Sequence, residues 1–227
     1  MEVGLPPATC YACDQPATTR EHAPPKSFFP DQGKGLNMIT VPSCSAHNLA
    51  NSQDVEYVRN AIASLEGLNG TGELLIDTAK RSFDHSPALF QRTFQSFVVH
   101  SQEEQVGTFK ADLSRVKAVM TAVVQALHYR DQHQKWGRWQ VFVPSLGSEA
   151  SLIHKRSDGC EAFRELLSRI PYVDQPTAEP EVFKYGSNAL DWGWTYRLTF
   201  YAGFVVNAWM LRDDADMQEK PSMRSAQ

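Results

Sequence analysis

The apolar pattern changes period along the chain. Through the first forty residues no regular spacing holds, and Pro24, Pro25, Pro30, Gly33 and Gly35 keep the segment in loop or extended backbone. Leu36 to Val41, with Met38, Ile39, Thr40 and Val41, reads as a short strand. After Cys44 the pattern turns helical, either directly from His47 or after a break, with Val55, Val58, Ile62 and Leu65 three or four residues apart until Gly67 and Gly70 end it. Ser86-Pro87 signals another helix start, with Leu89, Phe90, Thr93, Phe94 and Phe97 as its apolar stripe. The longest helical period spans 109–133 and carries Leu113, Val116, Val119, Met120, Val123, Val124 and Leu127, the stripe of a core helix. His128 and His133 near its end are five apart, not on one helical face, and read as surface residues at a helix terminus. Farther on, Trp139 to Val143, Glu181 to Tyr185 and Trp194 to Trp209 are rich in β-branched and aromatic residues and read as strands, the last divided by Gly203. A helix around Ala162 to Ile170 would pack on that sheet. The expected class is α+β: an N-terminal module over 1–67, a helical and then β-rich body over 68–212, and a polar, disordered tail over 213–227.

The irregular first quarter holds most of the candidate chemistry. Cys10-x2-Cys13 and Cys44-x2-His47 are two half-sites about 30 residues apart, the spacing of a tetrahedral zinc knuckle. Thiolate and imidazole are the ligands zinc prefers, and a closed four-ligand site contributes folding energy directly. Three of the 4 cysteines fall in these half-sites, so a disulfide reading leaves one of the three unpaired. The alternative is a set of small buried residues without metal.

Composition adds limits. Hydrophobic residues at 42% of 227 supply material for a real core. No apolar run is long enough to span a membrane, and the N-terminus lacks the basic and apolar regions of a secretory signal, so a cytoplasmic, reducing setting is expected. A net charge of -4 argues against a chain that coats nucleic acid indiscriminately, yet leaves room for a locally positive surface. Arg20, Lys26 and Lys34 could form one beside the half-sites. Lys110, Arg115, Lys117, Arg130, Lys135 and Arg138 could form another along the later helix, with a solvated helix face as the alternative.

The order knuckle, Glu21-His22, short strand, second half-site and helix resembles the ββα-metal finger of HNH endonucleases, in particular the zinc-stapled phage and restriction enzymes. The matching residues are Glu21-His22, Asn37 in LNMITVPSC and Asn48 in CSAHN, and the resemblance covers roughly residues 8 to 60. Glu21 stands where Asp or His is usual, His47 where a fourth Cys is usual, and Asn48 where the final His gives the family its name.

The resemblance implies a division of labour. Glu21 and the amide oxygen of Asn48 are hard oxygen ligands suited to a catalytic Mg²⁺ or Mn²⁺, while Cys10, Cys13, Cys44 and His47 hold the structural Zn²⁺. His22 serves as general base for the attacking water, with an unperturbed pKa of about 6.5 that suits neutral pH. Asn37 is assigned to orienting the His22 loop, against the alternative of an ordinary turn residue. Ser52 occupies a place where some relatives have a further ligand, and Asp54 and Glu56 read as capping and solvating residues. The implied activity is one-metal hydrolysis of DNA leaving a 5′ phosphate. RNA as substrate, nicking and a protein targeting partner stay open, and the reading from another class is a noncatalytic zinc module that binds nucleic acid or protein.

Overall fold

The computed structural model describes residues 8–49, 52–65, 68–94, 98–101, 106–135, 138–144, 167 and 169–211. The architecture is mixed helix and sheet. Two short strands, β1 (Thr19–His22) and β2 (Thr40–Ser43), pair antiparallel with Glu21 opposite Val41 and His22 opposite Thr40. They are followed by α1 (Ser45–Leu49), α2 (Ser52–Ala63), α3 (Gly72–His85), α4 (Pro87–Thr93), the hairpin β3 (Val98–Ser101) and β4 (Val106–Thr108), and α5 (Leu113–Gln132). The C-terminal region is a five-stranded antiparallel sheet of β5 (Trp139–Phe142), β6 (Val173–Gln175), β7 (Phe183–Leu190), β8 (Gly193–Phe200) and β9 (Phe204–Leu211), in the order β5-β9-β8-β7-β6.

Several elements differ from the sequence expectation for identifiable reasons. The strand expected over 36–41 is instead β2, because its partner β1 ends at His22, where Ala23-Pro24-Pro25 cannot continue the ladder without proline N–H donors. Only the Ala23 N–H reaches back, to the Ile39 carbonyl. The first helix is broken into α1 and α2. Helix α3 was not expected at all, although Leu75 and Ala79 bury one face of it, because neighbouring glycines and an exposed Leu74 mask its period. The divided final strand is found as expected, with β8 and β9 joined by a tight turn at Tyr201-Ala202-Gly203. Most of the helix expected over 162–170, Phe97 and the tail from Asp213 lie outside the described residues.

Helix α5 is the spine. Asp112 caps its start by accepting from the Ser114 and Arg115 N–H groups, and His133 closes its end in the left-handed region. Its buried stripe, Val116, Val119, Met120, Val123, Val124 and Leu127, packs between α2 and β2 on one side and β5 and β9 on the other. Burying each such side chain stabilises the fold by about 1.5–3 kcal/mol before entropic costs. The N-terminal region also touches the sheet directly. The Phe28 ring meets Phe200 edge to face at 5.7 Å, and the Tyr201 hydroxyl donates to the Phe28 carbonyl at 2.7 Å. One hydrophobic cluster therefore runs from Cys10 and Val41 through α5 to Phe204 and Met210.

His128 is a correction. It is 1% exposed rather than at the surface, because α5 continues past it and the sheet closes over that turn. Its ring sits among Trp139, Trp194 and Tyr196, with Nδ1 at 3.2 Å from the Tyr196 hydroxyl. The later basic group also departs from a free phosphate-binding face. Arg115 pairs with Asp54 at 2.6 Å, Arg130 donates to the Tyr185 hydroxyl at 2.8 Å, and Lys135 Nζ donates to Thr9, to the Cys13 carbonyl and to Asp14. These cations join elements to one another. Among the described residues, no helix is long and apolar enough to cross a membrane.

Candidate metal centre and adjoining cleft

The first half-site is a small loop held against β2. Cys10 N–H donates to the Gln15 carbonyl, Tyr11 N–H to the Pro42 carbonyl and Thr18 N–H to the Ser43 carbonyl. The Ala12 N–H points at Cys10 Sγ at 3.5 Å, as a backbone donor that favours a thiolate does. The second half-site begins where β2 ends: Cys44 opens the first turn of α1, whose Asn48 N–H donates to the Cys44 carbonyl at 3.0 Å. That turn projects His47 back toward the first loop.

Cys10, Cys13, Cys44 and His47 meet with all four ligand atoms within 4.8 Å of one another. His47 Nδ1 lies 3.6 Å from Cys10 Sγ, 3.6 Å from Cys13 Sγ and 3.2 Å from Cys44 Sγ, while Cys13 and Cys44 sulfurs are 3.9 Å apart. Bonds of about 2.3 Å to sulfur and about 2.0–2.1 Å to nitrogen at tetrahedral angles give edges of about 3.8 Å and about 3.5 Å. The observed edges fit that tetrahedron, and the sulfurs are too far apart for a disulfide. This cluster could hold a metal such as zinc. Burial opposes ionisation of Cys10, but hydrogen bonds from the Ala12 and Cys44 backbone and from the Cys44 and Cys13 side chains outweigh it, and the thiol lies below its ordinary value.

Beside the cluster is a cleft of about 240 Å³ that shares His47 with it. Glu21 and His22 from β1, Asn48 from α1 and Ser52 from α2 line it together with Tyr11. It is smaller than the pockets of about 300–1,000 Å³ that hold small organic ligands and cofactors. Its far wall is apolar: Val55 of α2 and Val119, Ala122, Val123 and Ala126 of α5. The small residues Ala122 and Ala126 are four apart on one helical face, and they leave the space that larger side chains would fill.

The two acid-base groups of the cleft have different electrostatics. Glu21 is half-buried, its Oε2 is fully buried with no hydrogen-bond partner, and burial pushes its pKa up to about 7. His22 is held below its ordinary value, first by burial and then by the positive charges of Lys26 and Arg20. It is therefore the neutral imidazole at pH 7, the form able to accept a proton. Arg20 is itself fixed by donating to Thr40 Oγ1 at 2.6 and 2.9 Å.

Of the eight residues singled out from sequence, four converge on the metal cluster and Glu21, His22 and Asn48 converge on the cleft. Asn37 lies apart from both, exposed on the stretch before β2. The sequence analysis missed Tyr11 and the α5 wall. Tyr11 sits between two ligands and passes for spacer, and the α5 residues have the period of ordinary core. No protein-family model, no curated protein and no solved structure matches the chain.

Proposed function

We propose that this protein is a metal-dependent DNA endonuclease of the HNH type. The observation that supports this reading is the convergence of Glu21, His22 and Asn48 on one cleft walled by His47. These residues come from two different elements, and a module that needed only zinc for folding would have no use for that convergence. The strand pair and helix that carry them have the order of a ββα-metal finger, with the metal cluster tying the strands to the helix.

Glu21 and Asn48 would hold a divalent ion, Mg²⁺ or Mn²⁺. The unpartnered, buried Oε2 of Glu21 fits that assignment, because a carboxylate kept from water and from hydrogen bonds is one that a cation would stabilise. When bound, the ion supplies Lewis acidity at a phosphodiester and charge relief for the departing oxygen. His22, neutral at pH 7 and open to the cleft, takes the proton from the attacking water. Burial, helped by the charges of Lys26 and Arg20, keeps the imidazole deprotonated between turnovers, and the two cations offer positive charge to a phosphate. The apolar wall from α5 excludes bulk water from one side and strengthens these interactions. Cys10, Cys13, Cys44 and His47 hold zinc, and its role is to fix the distance between β1 and α1, and hence between His22 and Asn48.

Supercoiled plasmid incubated with the zinc-loaded protein should be nicked or linearised with Mg²⁺ or Mn²⁺ and left intact when those ions are withheld. Binding of DNA without cleavage under any divalent ion would favour the noncatalytic zinc module instead.

A further inference from the structure

Next to the cleft lies a second and larger concavity of about 820 Å³, between the loop that follows β1 and the helices α2 and α3. Its rim and floor carry Lys26 and Lys34 from the loop, Arg59 from α2 and Arg81 from α3, against the single carboxylate of Asp31. Four cations to one anion is far from the balance of the whole chain, whose net charge is -4. Among the described residues, neither Lys26 nor Lys34 has a carboxylate within salt-bridge reach, so their charges face solvent.

The groove is also built rather than incidental. Arg59 is held in place by two hydrogen bonds to Asn60 Oδ1 at 2.8 and 3.0 Å and by an ion pair with Glu56 at 3.8 Å. Arg81 is steadied by Thr78 Oγ1 at 3.3 Å. Ser27 Oγ lines the same groove and is buried without a hydrogen-bond partner, a hydroxyl ready to donate to an anion. The loop meets the groove through a turn in which Asp31, Gln32 and Gly33 all have positive φ, and a side chain on Gly33 would strike Met38 Sδ. Two non-glycine residues held in the left-handed region show that the surrounding structure dictates this loop's shape. Pro25 lines the cleft and Lys26, the next residue, lines the groove, so the two concavities adjoin.

We propose that this groove binds the sugar-phosphate backbone of duplex DNA and leads it into the cleft, with Lys26, Lys34, Arg59 and Arg81 contacting successive phosphates. The assignment rests on the endonuclease reading for its choice of polyanion, and on the groove's own charge and continuity for its position. It takes the place of the basic group along α5, of which Arg115, Arg130 and Lys135 are occupied within the fold. Such contacts fix register without reading bases.

The test is binding of a short fluorescein-labelled DNA duplex to the full-length, zinc-loaded protein without Mg²⁺, followed by anisotropy over a range of salt. Lys34→Ala with Arg81→Ala removes two exposed charges, and Lys184→Ala on the exposed face of β7 is a control that removes one charge away from the groove. The double variant, with zinc content and melting temperature like the parent's, should bind more weakly, and its log-log salt slope should fall by about 0.9 per lost contact, about 1.8 in all. The control should match the parent. Unchanged affinity and slope in the double variant, an equal loss in the control, tighter binding of RNA of the same sequence, or no binding by the parent would each overturn the groove. Plasmid cleavage by the parent separates the two readings: cleavage with an unaltered double variant leaves the nuclease and removes the groove. A groove-dependent parent that never cuts leaves the groove and removes the nuclease.

Discussion

Glu21 and His22 are neighbours in sequence, and burial favours the neutral form of both, raising the pKa of the acid and lowering that of the base. One carboxyl oxygen is buried without a partner, and burial first, then the charges of Lys26 and Arg20, hold the imidazole below its ordinary value. A pair exposed in a Pro-rich loop would show neither effect. His128 illustrates burial with a structural outcome. Its pKa is lowered to about 4 by burial among Trp139, Trp194 and Tyr196, against an ordinary value of 6.5. A histidine with a depressed folded pKa contributes stability that is fully present above about pH 6.5 and is lost as pH falls toward 4, because the unfolded chain binds the proton first. At about 1.4 kcal/mol per unit, the loss is up to about 3 kcal/mol. Melting temperatures of the parent should therefore fall more steeply between pH 6.5 and 4.5 than those of His128→Gln, which cannot titrate. Parallel pH profiles would mean that His128 takes its proton without disturbing the core.

At the scale of elements, what could be read in the sequence was what depends on local period or on ligand spacing. α5 was readable because its apolar stripe holds the helical period for five turns, and the β8 to β9 division because Gly203 breaks an otherwise continuous β-branched run. The four metal-cluster residues were readable because two short spacers bring ligands together within each half-site, whatever the rest of the chain does. The elements missed or misplaced were set by tertiary partners. β2 lies where β1 can pair with it, and β1 stops just before Pro24 and Pro25, in a different part of the sequence from β2. α3 buries a narrow face against α2, and the short strands β3, β4 and β6 exist only as edges or hairpins beside other elements. In the candidate site, the polar residues were readable and the wall was not. Val119, Ala122, Val123 and Ala126 have nothing to distinguish them from core until α5 is placed across the cleft.

At the scale of the molecule, the metal cluster and the C-terminal sheet share one core through α5, Phe28 and Tyr201. Of the 5 tryptophans, Trp139, Trp194 and Trp209 lie in strands of the sheet, so tryptophan fluorescence carries a signal from the sheet. Cys44→Ser should abolish stoichiometric zinc and also lower the unfolding midpoint seen by tryptophan fluorescence, in a single cooperative transition. An unchanged tryptophan midpoint with zinc lost would mean that the N-terminal region folds independently of the sheet. The same shared core makes the cleft a product of the whole fold, since β1, α1, α2 and α5 each supply part of its lining. Its proposed activity is tested most directly by plasmid cleavage with His22→Ala, compared with the parent at equal zinc content in saturating Mg²⁺ or Mn²⁺. Loss of the general base should lower the rate by about a hundredfold or more at neutral pH, with DNA affinity retained and relative activity recovering as pH rises. Cleavage by His22→Ala at the parental rate from pH 6 to 9 would contradict the assignment of this cleft as the catalytic centre.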